Sequence, residues 1–310
     1  MDSALDLLSS LVMVSCSLFG LICSLTFIII VVTNRSLQTV TIMLAFNSAI
    51  AGFIINVTSG CQAIYQIISD GNDQFCSFRG FLLHAATGLL YHTLCVQALR
   101  SLFVVVFSAQ RSLQSKPIIA SITIVQWLVS ITFAIPSLVL GRIVYQAGSR
   151  ICQASLNDLV IFLYLSFFIY FGPVAFILSI YARIVYFAKH RPFSVNVQTR
   201  IADERRQRRE VRFVRRLLII AMVTGCMSCP YILFFLRTQI FSNAERLPYA
   251  QRVSFIFLSF GYAIWMLVNL TYTDEVRKHL FSKIQCILPQ LKRGRVEPGT
   301  TTYTNTRVMP

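Results

Sequence analysis

Seven apolar stretches separated by short polar loops constrain this chain more than anything else in it. They fall at about 9–33, 39–67, 77–107, 117–140, 158–188, 214–241 and 251–272. A helix needs roughly 20 apolar residues to cross a bilayer, and each stretch reaches that length. Hydrocarbon offers no partner to a backbone N–H or C=O, so spanning segments of this kind satisfy themselves as helices. The expected fold class is an all-α membrane protein: a seven-transmembrane helix bundle with a short amphipathic membrane-surface helix after the last span. The expected divisions are a short outer N-terminus over 1–8, the bundle over 9–272, the surface helix over 273–288 and a disordered cytoplasmic tail over 289–310. The longest gap between spans, 189–213, is too polar and too basic to bury a core of its own.

The 310 residues are 13% charged, about half of the roughly 25% typical of soluble domains. The net charge of +16 raises the question of nucleic acid, but its distribution answers it. Gap 189–213 carries Lys189, Arg191, Arg200, Arg205, Arg206, Arg208, Arg209 and Arg212, followed by Arg215 and Arg216; the tail adds Arg277, Lys278, Lys283, Lys292, Arg293 and Arg295. The alternate loops hold Asp2, Asp6, Asp70, Asp73 and Asp158. Basic loops stay on the cytoplasmic side, so the N-terminus is expected outside and the C-terminus inside; the expected location is the plasma membrane. A topogenic basic loop explains the charge without nucleic acid; the bilayer is the partner.

Nine cysteines sort by depth. Cys16, Cys23, Cys61, Cys95, Cys226 and Cys229 fall within spans, where a thiol behaves as a small hydrophobe. Cys76 and Cys152 fall on the outer, oxidising side. After the last span, Val276, Leu280, Phe281, Ile284 and Ile287 recur at helical spacing among Arg277, Lys278 and Lys283, the pattern of a helix lying on a membrane surface. Cys286 at its end is a candidate lipidation site.

Several chemistries are excluded. All twelve acidic residues lie outside the spans or at their ends, which argues against proton pumping and cation-coupled transport. No HExxH or GxSxG pattern is present, so an enzyme is not expected, and no residue set calls for a cofactor or a metal. The five lysines, Lys116, Lys189, Lys278, Lys283 and Lys292, all lie outside span interiors, and a retinal Schiff base needs a buried amine. Pro173 and Pro230 interrupt the fifth and sixth stretches; proline inside a span frees a carbonyl and bends the helix.

Taken in order, the landmarks resemble those of the rhodopsin-like (class A) G-protein-coupled receptors over about residues 9–288. Trp127 with Pro136 matches that family's fourth helix, Pro173 with Tyr181 its fifth, Met227-Ser228-Cys229-Pro230-Tyr231 its sixth-helix kink, and Thr273–Leu288 its eighth helix. The resemblance implies a Cys76–Cys152 bridge, and switch or hinge roles for Arg100, Pro173, Tyr181 and Pro230. It implies an extracellular ligand, a peptide or a small molecule, met by Leu83, His84 and Thr87 from span three, Tyr231 and Phe235 from span six, and Phe255 and Ser259 from span seven. It also implies a heterotrimeric G protein docking near Arg208, Arg209, Arg212, Arg215 and Arg216. Arg79, Arg237, Arg246 and Arg252 near the outer rim hint at an acidic ligand.

Other family motifs are eroded. The sodium-binding aspartate of span two aligns with Gly52, and the tryptophan toggle of span six with Ser228. The switch arginine at the foot of span three falls on Arg100 or, counted from Cys76, on Ser101; Trp265 to Asn269 stand where span seven has its NPxxY. Three readings follow: a ligand-driven receptor, a seven-helix lipid scramblase or channel, and a receptor fold that does not signal.

Overall fold

The structure is a computed structural model that describes residues 2–68, 75–108, 110–146, 149–154, 158–190, 197–240, 250–273 and 275–281. In chain order it consists of α1 (Asp2–Thr33), α2 (Val40–Ile68), α3 (Cys76–Val105), α4 (Lys116–Thr132), α5 (Ile135–Val139), β1 (Ile143–Gln146), β2 (Ile151–Ala154), α6 (Leu159–Ser166), α7 (Gly172–His190), α8 (Val197–Met227), α9 (Cys229–Ile240) and α10 (Ala250–Tyr272). Six helical segments are long and apolar enough to cross a membrane by themselves, and α8 with α9 makes a seventh, bent by 45°. The seven apolar stretches of the sequence are therefore seven spans of a helical bundle. Helix α8 begins far inside what the sequence presents as a loop, so span six projects well beyond its apolar part.

Prolines set the irregularities. Pro173 has no N–H to give the preceding turn, and the chain there widens into a π turn over Phe167–Phe171, closed by Gly172 N–H to the Phe167 carbonyl. The Pro173 carbonyl in turn accepts from Cys95 Sγ at 3.7 Å. Pro230, in the first turn of α9, removes the donor for the Cys226 carbonyl, and the helix breaks at Ser228. Helix α6 is started by Asp158, whose Oδ1 accepts from Ile161 N–H at 3.2 Å, a cap that stabilises by about 1 kcal/mol.

Between apolar helices in lipid, packing and hydrogen bonds hold what the hydrophobic effect holds in water. Trp127 Nε1 donates to Asn47 Oδ1 at 2.8 Å, Asn47 Nδ2 to Gln126 Oε1 at 2.9 Å and Gln126 Nε2 to the Leu89 carbonyl at 3.3 Å, which ties spans two, three and four. His92 joins spans three, four and five: Nε2 donates to the Phe168 carbonyl at 3.0 Å and Nδ1 lies 2.7 Å from Ser130 Oγ. Residues 275–281 are helical. Val276 is fully buried against Phe27, Ile30, Val31, Ile42 and Ala49, while Arg277, Lys278 and Phe281 face outward. Cys286 lies outside the described residues.

The loop after span four is a two-stranded antiparallel hairpin, β1 with β2, in the register Ile143↔Ala154 to Gln146↔Ile151. Cys152 is bridged to Cys76 at the start of α3. All four residues of β2 are buried. The hairpin lies so close on span three that a Cβ added at Gly80 would meet the Cys152 carbonyl at 3.0 Å. Its turn reaches across the bundle: Gln66 Nε2 donates to the Ser149 carbonyl at 3.4 Å, Gln62 Nε2 to the Arg150 carbonyl at 3.3 Å, and Ser149 Oγ to Gln251 Oε1. Arg150 accommodates this turn with a φ of 55°. The hairpin thus roofs one end of the bundle from span three to spans two and seven.

Candidate functional site

Beneath that roof is a cavity of about 130 Å³. Leu83, His84, Thr87 and Tyr91 line it from span three; Phe162, Leu165, Ser166, Ile169, Tyr170 and Phe171 from span five; Thr224, Ser228, Tyr231 and Ile232 from span six; Phe255, Leu258, Gly261 and Tyr262 from span seven; Gln153 and Ala154 from the hairpin. Among the described residues the lining holds no charged side chain. Its polar groups are few and mostly engaged: Thr87 Oγ1 donates to the Leu83 carbonyl at 2.6 Å and sits 3.0 Å from the Tyr262 hydroxyl, and His84 Nε2 accepts from Ala154 N–H at 3.4 Å.

Of the seven ligand positions named from the sequence, Leu83, His84, Thr87, Tyr231 and Phe255 line this cavity. Phe235 and Ser259 do not. Phe235 stacks on Phe162, ring centroids 3.5 Å apart, and Ser259 is turned toward span two, its Oγ 3.1 Å from Ser59 Oγ. Phe235 lies one turn beyond Tyr231 on the same helix, and its ring is spent on Phe162 instead of on the cavity. Of the rim arginines, Arg79, Arg237 and Arg252 are not among the lining residues. Arg252 is buried in an ion pair with Asp6 at 2.7 Å, and Arg79 lies over the Tyr65 ring at 3.6 Å. Arg237 is exposed on α9 and Arg246 lies outside the described residues.

A ladder of rings forms the cavity floor. Tyr91 meets Tyr170 edge-on at 5.7 Å and Trp265 edge-on at 5.4 Å. The π turn aims Tyr170 inward, and only a glycine at 225 leaves room for its hydroxyl end. The indole of this floor, Trp265, stands on span seven. Ser228 only donates to the Thr224 carbonyl at 3.3 Å. Tyr181 is half-buried against the central core.

Gly52 packs on Met266 where the family's sodium-binding aspartate would stand. A Cβ at Gly52 would run into the Met266 thioether, so span seven fills with an apolar group the space where a span-two carboxylate would sit. Trp265 Nε1 closes the same layer by donating to Ser48 Oγ at 3.4 Å. A sodium ion stripped of water needs a carboxylate that this layer lacks. Exchanging sodium for choline at constant ionic strength is accordingly expected to leave the thermal midpoint unchanged within about 1 °C, since an ion that does not bind adds no stability. A sodium-dependent rise of several degrees would contradict it.

The other end of the bundle carries a polar clamp. Glu210, on the extension of α8, is 3% exposed. Its Oε2 accepts from Ser101 Oγ at 2.9 Å and lies 3.7 Å from Arg100 Nη1. Both residues left open for the switch position at the foot of span three thus face the same carboxylate. Beside the clamp is a cavity of about 430 Å³, lined among others by Arg100, Arg209, Arg212 and Arg216. Arg216 lies 5.1 Å over the Tyr272 ring. Arg208 and Arg215 are exposed on the same helix and are not among its lining residues. Sequence reasoning missed Glu210, although a carboxylate two residues from arginines on either side was its available signal.

A family model described as "7 transmembrane receptor (rhodopsin family)" matches residues 24–269. Among solved structures, that of squid rhodopsin superposes with a TM-score of 0.74 at 18% identity, covering 92% of this chain and 87% of that chain. A likeness at that identity speaks for the fold. No curated protein matches the sequence significantly.

Proposed function

This chain belongs to the rhodopsin family of seven-transmembrane receptors, and on that premise we propose that it is a plasma-membrane receptor that binds an extracellular ligand beneath the hairpin and activates a heterotrimeric G protein at the basic end. The N-terminus is extracellular and the C-terminus cytoplasmic, because the hairpin, Asp6 and the bridged cysteines share one end while the arginines of α8 occupy the other. One observation carries the reading: the cavity and the Glu210 clamp are both built on span six, the cavity at the Ser228–Pro230 break and the clamp far along α8 from it. A ligand that fits better when α8 is swung out shifts the population toward that arrangement. Swinging α8 out separates Glu210 from Ser101 and Arg100 and opens the arginine-lined cavity to a partner. Tyr181 and the Pro173 π turn form the surface past which α8 moves.

The test is nucleotide exchange on purified G proteins by the receptor in nanodiscs, screened against a chemically diverse ligand set. Ligand-dependent exchange supports the proposal. Exchange absent with every G-protein class, together with lipid flux in liposomes, would replace it by the scramblase reading.

A further inference from the structure

Two cavities of opposite character adjoin at the arginine end of span six. The first is the chamber of about 430 Å³ beside the Glu210 clamp. The second, of about 160 Å³, is a slot between spans six and seven, walled by Ile219, Ile220, Val223, Ile264 and Val268. Arg216, Ile220, Trp265, Val268 and Tyr272 line both.

The slot is apolar in effect as well as in composition. Its two polar side chains above Arg216 on span six and beside it on span seven are spent: Thr224 Oγ1 donates to the Ile220 carbonyl at 2.7 Å, and Trp265 Nε1 to Ser48 Oγ at 3.4 Å. Its outer wall faces away from the bundle, with Ile219 51%, Val223 39% and Tyr272 51% exposed, and every residue of spans six and seven along this seam is among the described residues. Arg216 and Thr224 mark its two ends, eight residues apart. At about 1.5 Å per residue that is about 12 Å, most of one leaflet's share of a hydrocarbon core roughly 30 Å thick.

The chamber is charged. Arg100, Arg209, Arg212 and Arg216 line it against two carboxylates, Glu210 and Glu275. Glu210 is already taken by Ser101, Arg100 and Arg209. Arg212 and Arg216 stand one turn apart on the same face of α8 and have no carboxylate partner among the described residues. Arg212 Nε donates to the Arg208 carbonyl at 3.2 Å, and Arg216 lies over the Tyr272 ring. A cleft with an excess of one sign of charge between apolar walls focuses the field and draws the opposite charge.

We propose that the joined cavities hold one anionic phospholipid from the leaflet at this end, its phosphate met by Arg212 and Arg216 and the first methylenes of one acyl chain laid in the slot between spans six and seven. An arginine that merely snorkels needs only headgroups around it. An apolar slot that begins at the guanidinium ties head and tail to a single place.

The test takes the amphiphile apart. The full chain in neutral detergent, with no G protein present, is titrated with three probes, and one-to-one adducts are counted by native mass spectrometry. The probes are dioleoylphosphatidic acid, dioleoylglycerol (the same tails without phosphate) and glycerol 3-phosphate (the same phosphate without tails). Phosphatidic acid is expected to bind at least tenfold more tightly than either fragment. Arg212→Gln and Arg216→Gln should each weaken it about fivefold, the worth of one basic residue beside an anionic headgroup. Val223→Phe, which fills the slot from its outer wall, should weaken it by at least as much at an unchanged thermal midpoint. Arg208→Gln and Arg215→Gln, on the same helix but outside the lining, should leave it within twofold. An equal loss in these two would reveal diffuse attraction to a basic helix and overturn the site. Dioleoylglycerol binding as tightly as phosphatidic acid would leave a groove for neutral lipid, and glycerol 3-phosphate doing so would leave a pocket for soluble phosphate; either overturns the proposal in the wild type alone, as does the absence of a phosphatidic acid adduct. Because no G protein takes part, the outcome is independent of the receptor reading above.

Discussion

Replacing Glu210 with glutamine is expected to raise ligand-independent nucleotide exchange about tenfold at equal surface density. The carboxylate is buried, bonded to Ser101 at 2.9 Å, and faces Arg100 at 3.7 Å, whose side chain is 15% exposed. Arg209 Nη2, 3.6 Å from the other carboxylate oxygen, is largely exposed and adds little. Glutamine keeps the shape and a hydrogen bond to Ser101 but leaves the half-buried Arg100 beside Arg209 without its carboxylate partner. That cost falls on the closed arrangement, because Arg100 is more fully hydrated once α8 moves away. A hydrogen bond to a charged group is worth about 1.5–3 kcal/mol, and 1.4 kcal/mol is a factor of ten in a two-state ratio. Ser101→Ala removes one donor and is expected to act in the same direction more weakly. The double variant should fall short of the sum, since both act on one carboxylate. Basal exchange that is unchanged or lower in Glu210→Gln would show that the clamp does not hold the inactive arrangement.

Loss of the Cys76–Cys152 bridge should be the most damaging single change to folding. It closes a loop with a sequence separation of 76 residues, and removing a native bridge of that kind costs about 2–5 kcal/mol. The damage is also geometric. Cys152 lies mid-strand in β2, which roofs the cavity and sends Ser149 and Arg150 across to Gln251, Gln66 and Gln62. Cys152→Ser is expected to lower surface-displayed, ligand-competent receptor more than tenfold, as read by an N-terminal epitope on unpermeabilised cells. Cys76→Ser should match it, and the double variant should be no worse than either. Normal surface display of the single variants would contradict this, and an additive loss would show that the two cysteines act separately.

The architecture was legible because its signals are local. A run of apolar residues is a span whatever it meets, and a proline removes its N–H wherever it lies. The bundle, the break at Pro230 and the two outer cysteines came through for that reason. What failed to show depends on partners distant in sequence. Glu210 reads as one more charge on a solvated basic helix until Ser101 and Arg100 are brought to it. Gly52 reads as a deletion, whereas Met266 occupies the space. Phe235 shares a helix face with Tyr231, and only the approach of Phe162 takes its ring away from the cavity. Arg252 reads as a free rim cation until Asp6 lies beside it.

The length of α8 has a mechanical consequence. It runs 31 residues from Val197 to Met227 without interruption, and the break at Ser228 is its pivot. At about 1.5 Å per residue, Glu210 lies about 27 Å from that pivot and Val197 about 46 Å. A rotation of about 10° at Ser228 therefore displaces Glu210 by about 5 Å and Val197 by about 8 Å. The pivot itself borders the upper cavity, where the same rotation moves side chains by little more than an ångström. In the proposed function, span six would serve as a lever with a short input arm beside the cavity and a long output arm at the far end, so a small displacement at the cavity would produce one several times larger at the clamp.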